Sequence, residues 1–138
     1  LSQLEPLKDK RQITVKSGPQ DIEIGIDARV LFNSGDARLL PQSYDVLDEI
    51  ATALRKQTDN RILVEGHTDS VPISNARYAS NWELSSARAG AVVRFIVDRR
   101  IGPRRLAAVG RADNFPLVTG DDAVSRSMNR RVTILVQY

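Results

Sequence analysis

The stretch RILVEGHTDSVPISNARYASNWELSSARAGAVVRFIVDRR, residues 61–100, carries the decisive pattern. Ile62-Leu63-Val64 is a short apolar run closed by Gly66, the mark of a buried strand. A polar loop holding Pro72 follows, from about His67 to Ala79. Ser80 and Glu83 then stand three apart, the capping-box spacing in which a hydroxyl and a carboxylate satisfy the free amides of a first helical turn. From there Leu84, Ala87, Ala91, Val92, Phe95 and Ile96 return on one face at roughly 100° per residue. The helix is expected to reach about Arg100 and to stop before Gly102-Pro103.

Upstream, ITVKSG and DIEIGIDARVLF, separated around Gly18-Pro19, read as the two strands of a hairpin, because Ile22, Ile24 and Ile26 alternate with polar or small residues. NSGDARLL is a loop. Pro41 fits the first turn of a helix running to about Thr58, with Tyr44, Leu47, Ile50 and Leu54 at three- and four-residue steps. Its acids fall early (Asp45, Asp48, Glu49) and its bases late (Arg55, Lys56), as the helix dipole favours. Downstream, RLAAV is a strand, GRADNFPLVTGDD a long loop, Ala123 to Asn129 a helical turn, and Val132, Ile134 and Val136 mark a last alternating strand. The order hairpin, helix, strand, helix, strand, strand predicts an α/β (α+β) two-layer sandwich, a mixed β-sheet with helices packed on one face.

Composition sets the outer bounds. With 138 residues, 41% hydrophobic and 27% charged, one core suffices. Residues 1–12 are charged, contain Pro6 and lack a period, so they read as a linker leading into a domain over 13–138. Cysteine is absent, which excludes disulfides and thiolate metal sites. Twenty basic against seventeen acidic side chains leave a net charge of only +3, and three Phe, three Tyr and one Trp offer few stacking platforms, so nucleic acid is not the expected partner. No run approaches the ~20 apolar residues of a membrane span. The chain begins at Leu1, and it is expected to be a piece of a longer protein.

Arg88 breaks the pattern. It falls inside the apolar stripe of the second helix, where it must snorkel, pair with a carboxylate or wait for a ligand. Asp69 lies just past a strand end in the loop leading to that helix, where ligands of open α/β sheets tend to sit. Such a carboxylate and guanidinium would suit a zwitterion, with Asp69 taking its ammonium and Arg88 its carboxylate. On that reading both heads point into a cleft, and Arg88→Ala costs about 1 kcal/mol of stability or less. His67 is the only histidine, and adjacent residues of an extended segment point apart, so HTDS argues for neither a metal site nor a catalytic triad. It reads as a cap or packing group at the strand end. Gly66 and Gly110 read as turn residues. Asn81 serves either helix-start chemistry or ligand contact, and Trp82 reads as a packing anchor, with sugar stacking as its alternative.

GHTD, NWELSSARA, Gly110 with Pro116 six residues on, and SMNRRV, in this order, resemble the OmpA-like peptidoglycan-binding domain from about Ile22 to Val136. The resemblance implies a non-catalytic domain with no cofactor or metal. Its Asp69 and Arg88 would hold the diaminopimelate of the wall's stem peptide, with Thr68, Asn81 and the Asn129-Arg130-Arg131 motif nearby and Phe32 and Asn33 as further contacts. Which of Arg130 and Arg131 faces the ligand stays open. Val71-Pro72 stands where the broader family tends to place a glycine. FNSGDARL, GHTDSVPI, SNWELSSARA and GRADNFP look most like the flagellar stator subunit of the MotB type. That subgroup implies a periplasmic homodimer tied to the inner membrane and a MotA-type channel subunit by a segment outside this chain. The alternatives are a wall-binding module of an outer-membrane or accessory motor protein, and an enzyme acting on peptidoglycan.

Deleting residues 1–12 is expected to leave the melting temperature within a few degrees of the full chain, measured by thermal unfolding of both.

Overall fold

The computed structural model describes residues 13–56 and 60–137. The expected linker, residues 1–12, and the expected helix end near Thr58 lie outside them. One sheet contains β1 (Ile13–Ser17), β2 (Asp21–Asp27), β3 (Ile62–His67), β4 (Leu106–Gly110) and β5 (Arg131–Gln137), in the spatial order β1-β2-β5-β3-β4. β3 and β4 run parallel and the other neighbours antiparallel, so the sheet is mixed. The helices are α1 (Ala28–Leu31), α2 (Ser43–Arg55), α3 (Asn81–Asp98) and α4 (Ala123–Asn129). A parallel pair needs a crossover, which α3 supplies.

The period-two pattern of the strands decides which face is dry. Ile24 and Ile26, Ile62 and Val64, and Val132, Ile134 and Val136 are all buried, and they join Leu47, Ile50, Leu54, Val92 and Ile96 from the two long helices in one core. The alternate residues Glu23, Leu63, Glu65 and Leu135 lie on the face opposite the two long helices and stay half-buried. No helix among the described residues is long and apolar enough to cross a membrane.

Several boundaries differ from the sequence expectations. The second strand ends at Asp27 rather than Phe32, because the Asp27 carboxylate accepts the Arg29 amide at 2.8 Å and starts a helical turn. From that point Ala28, Leu31 and Phe32 are buried at helical spacing. Pro41 precedes α2 rather than opening it: Ser43 and Tyr44 donate their amides to the carbonyls of Leu40 and Pro41 in a preceding turn. Tyr44 is 44% exposed, with its ring 5.6 Å from that of Phe95, and Val46 fills the core position instead. α3 ends at Asp98, where Arg99 and Arg100 donate back to Ile96 and Val97 and Arg100 turns left-handed at φ 71°.

α3 also buries a flank that the apolar stripe did not mark, since Ser85 and Ala89 are fully covered. The cause lies in the sheet. A Cβ on Gly66 would stand 2.2 Å from the Ser85 carbonyl oxygen, and one on Gly110 would stand 2.6 Å from the Ser86 amide nitrogen. These glycines, read from the sequence as strand-ending turn residues, do stand at the ends of β3 and β4, and their missing side chains let the helix backbone sit directly on the two strands.

Gly66→Ala is expected to destabilise the protein by more than about 2 kcal/mol, since backbone must move to admit the methyl group. Gly102→Ala, with nothing within 4 Å of its Cβ position, is the control. Urea unfolding of both variants makes the comparison.

Candidate functional site

At the carboxyl end of β3 the chain leaves the sheet, and the following residues face a cavity of about 600 Å³. Its walls come from α1 and the turn after it, from residues 68–73, from the first turns of α3 and from the end of α4. Ala28, Phe32, Val71, Pro72, Ile73 and Leu84 give it apolar patches. Its polar lining includes one carboxylate and four arginines, groups able to fix a ligand's orientation.

The entry to α3 is held by the expected Ser80 and Glu83, bonded in their own way. The Ser80 hydroxyl accepts the Trp82 amide at 3.2 Å and bonds the Glu83 carboxylate. This sets Asn81, Leu84 and Arg88 along the helix edge that lines the cavity. The Asn81 side chain donates to the Val71 carbonyl at 3.0 Å, fastening the loop to the helix start. Trp82, expected as a packing anchor, is instead 54% exposed, because the covered flank of this turn is the one that faces the glycines.

Arg88 is 5% exposed and forms no ion pair among the described residues. Its Nε donates to the Asp36 carbonyl at 2.8 Å and its Nη2 to the Asn33 carbonyl at 3.1 Å. The guanidinium carbon stands 4.9 Å from the centre of the Phe32 ring. Burial pulls the pKa of this group down, and the nearby Asp36 charge is the main counterweight. The Asp36 carboxylate itself is taken by Arg38 and Arg77. Arg88 thus holds the turn after α1 in place while remaining a buried cation.

Asp69 is equally withdrawn. One carboxylate oxygen accepts Arg130 Nη1 at 2.7 Å and the other accepts the Val71 amide at 3.1 Å. It does not pair with Arg88. Thr68 sits beside it, with its amide on the Ala112 carbonyl and its hydroxyl on the Asp69 carbonyl. The expectation that both charged heads wait unengaged is therefore corrected: each already has protein partners.

The three residues of the Asn129-Arg130-Arg131 motif go to three places. Asn129 is buried, accepts the amides of Leu117 and Val118 and donates to the Val118 carbonyl, pinning the long loop after β4. Arg130 lines the cavity. Arg131 does not: its guanidinium reaches the carbonyls of Asn129 and Phe115. In β5 Arg131 lies opposite His67, on the strand parity of Glu65 and Thr133, and strand alternation sends it away from the cavity.

Thr68, Asp69, Asn81, Arg88, Arg130, Phe32 and Asn33 thus surround one cavity and Arg131 stands outside it. Sequence reasoning missed Arg126, four residues before Arg130 on α4, and Arg29, on the turn that it read as strand. Helical spacing to Arg130 would have found the first.

His67 is 4% exposed, and neither ring nitrogen makes a hydrogen bond, although Nε2 comes within 3.4 Å of Glu65. Proximity to His67 and the Arg111 guanidinium hold the Glu65 carboxyl down to about 2. This cluster shares the sheet face of Thr133, opposite the long helices, and lies outside the cavity described above.

Comparison with known proteins places this geometry. Residues 31–130 match the OmpA family. The chain is 38% identical over 129 residues to the uncharacterized protein YtxE of Bacillus subtilis (strain 168), covering 93% of this chain and 53% of that protein. It is 31% identical over 140 residues to motility protein B of the same organism, covering 98% and 54%. It therefore spans about half the length of these relatives. The structure of the cell wall anchor of the T6SS from Pseudomonas aeruginosa superposes with a TM-score of 0.93 at 34% identity, over 99% of this chain and 94% of that one.

Because Arg88 ties down two loop carbonyls, Arg88→Ala is expected to cost about 1.5–3 kcal/mol of stability, more than the sequence alone suggested. Urea denaturation checks it, and a loss under about 0.5 kcal/mol, the range of an ordinary surface substitution, would show those two bonds to be idle.

Proposed function

This chain belongs to the OmpA family, and on that premise we propose that it binds peptidoglycan without chemistry of its own, holding the diaminopimelate of the stem peptide between Asp69 and Arg88. The carrying observation is a buried guanidinium that no carboxylate of the described residues neutralises, lining the same cavity as a buried carboxylate. A ligand carboxylate would supply Arg88 with its missing charge in a poorly solvated place, where such bonds are strongest. The ligand's ammonium would join Asp69 beside, or in place of, Arg130.

Binding rather than hydrolysis is supported by the acid count at the cavity wall. Asp69 is the one carboxylate among the described lining residues, whereas glycoside hydrolysis ordinarily requires a pair. The Asp69 carboxylate is engaged by Arg130 and the Val71 amide, and the neighbouring Thr68 hydroxyl donates to a backbone carbonyl rather than to that carboxylate.

The wall anchor would serve a membrane-embedded machine on the periplasmic side. Likeness to motility protein B supports a flagellar stator, with a parent chain anchored in the inner membrane, working as a homodimer beside a MotA-type channel subunit. A second reading, the wall anchor of a secretion machine, is favoured by the fit to the Pseudomonas structure over nearly the whole of both chains.

Sacculus pull-down of wild type and Asp69→Asn, beside thermal unfolding, tests the core of this. The substitution keeps size and removes the charge, so wall affinity should fall about tenfold to a hundredfold while the protein stays folded. Undiminished wall binding by a folded Asp69→Asn would overturn the assignment, and soluble fragments released from the sacculi would point to an enzyme instead.

A further inference from the structure

The cavity is lined by Arg29, Arg88, Arg126 and Arg130, set against the carboxylate of Asp69. Two of these cations are neutralised locally: Arg29 pairs with Asp27 at 3.0 Å and Arg130 with Asp69 at 2.7 Å. Arg88 and Arg126 form no ion pair among the described residues. The end of a diaminopimelate side chain is a zwitterion, with one carboxylate for Arg88. It leaves Arg126 without an anion.

Arg126 is half-buried on α4, and one of its Nη groups is fixed on the Asp121 carbonyl at 2.6 Å. The acids nearest to it in sequence are committed elsewhere. The Asp121 carboxylate accepts the Ser70 hydroxyl at 2.5 Å, which ties the loop after β3 to the loop before α4. The Asp122 carboxylate caps α4 by accepting from the amide and hydroxyl of Ser125. A cation oriented by a backbone carbonyl, with no acid in ion-pair contact among the described residues, is prepared for an anion from outside. The cavity of about 600 Å³ is of a size that accommodates drug-sized ligands, larger than one amino-acid side chain.

We propose that Arg126 is a second carboxylate-binding residue of this cavity, taking a carboxylate of the stem peptide other than the one at the zwitterionic end of diaminopimelate. It makes the domain selective for stems whose acids are not amidated. This rests on the stem-peptide reading given above. Two groups have the required chemistry, the α-carboxylate of the γ-linked glutamate and the terminal carboxylate of the alanine after diaminopimelate. An amide in either place keeps the shape and loses the charge.

Titration calorimetry with the 138-residue chain and three synthetic tetrapeptides, the free acid and the forms amidated at the glutamate or at the terminal alanine, decides the matter. Wild type should bind the free acid at least about tenfold more tightly than one amidated form, and the form that loses affinity identifies the group. Arg126→Gln should bind all three alike, at the level of the weaker peptide, and Arg126→Lys should keep part of the preference. Melting temperatures near wild type show that both variants are folded. Equal binding of all three peptides by wild type, or a preference that survives in Arg126→Gln, overturns the role of Arg126 and leaves the stem-peptide reading standing. Failure of wild type to bind any of the peptides overturns both.

Discussion

The backbone of α3 lies directly on two strands, and the rest of the molecule is arranged around that contact. Only a residue without Cβ can occupy positions 66 and 110, because the Ser85 carbonyl and the Ser86 amide already fill the space. The approach fixes the height and rotation of the helix over the sheet. Its start therefore stands beside the end of β3, and Arg88, about two turns further on, reaches over to the turn after α1. A helix held farther out by a side chain would carry that guanidinium away from the carbonyls it meets.

From this contact the electrostatics follow. Arg88 is buried because α3 is low, and it persists as a cation because two carbonyls and an aromatic face stand in for water. Asp69 is buried at the same end of the sheet and accepts hydrogen bonds from Arg130 and a backbone amide. The two charges are thus each partly satisfied and separately held.

The alternating strands and the two long helices were legible because each rests on a repeating apolar period: Ile22, Ile24 and Ile26 for one strand, Leu84 to Ile96 for the longest helix. Boundaries were less so, and for local reasons. DIEIGIDARVLF reads as unbroken strand until the Asp27 carboxylate caps Arg29, a hydrogen bond that no hydropathy pattern contains. Ser85 looked polar and is buried, since what covers it is decided by glycines on strands far along the chain. At the cavity, Asp69 and Arg88 stood out because they violate a pattern. Arg126 did not, because a basic residue on a short helix beside solvent violates nothing. The separation of Arg130 from Arg131 is strand parity, which becomes readable only once β5 is known to begin at 131.

The register of the sheet has a mechanical meaning. Ile13 pairs with Ile26, and Ile26 with Val132, so the chain enters the sheet at the same end at which Arg130 meets Asp69. Tension between the preceding chain and a ligand in the cavity would run laterally across β1, β2 and β5 near that end, and the length of the hydrophobic core would lie outside the line of force. β5, the middle strand of the five, would take this load with partners on both sides. β1, an edge strand bonded to β2 alone, would be pulled from its first residue, one hydrogen bond at a time. Under a pull applied at Ile13, β1 would peel from β2 before β5, held on both sides, gave way.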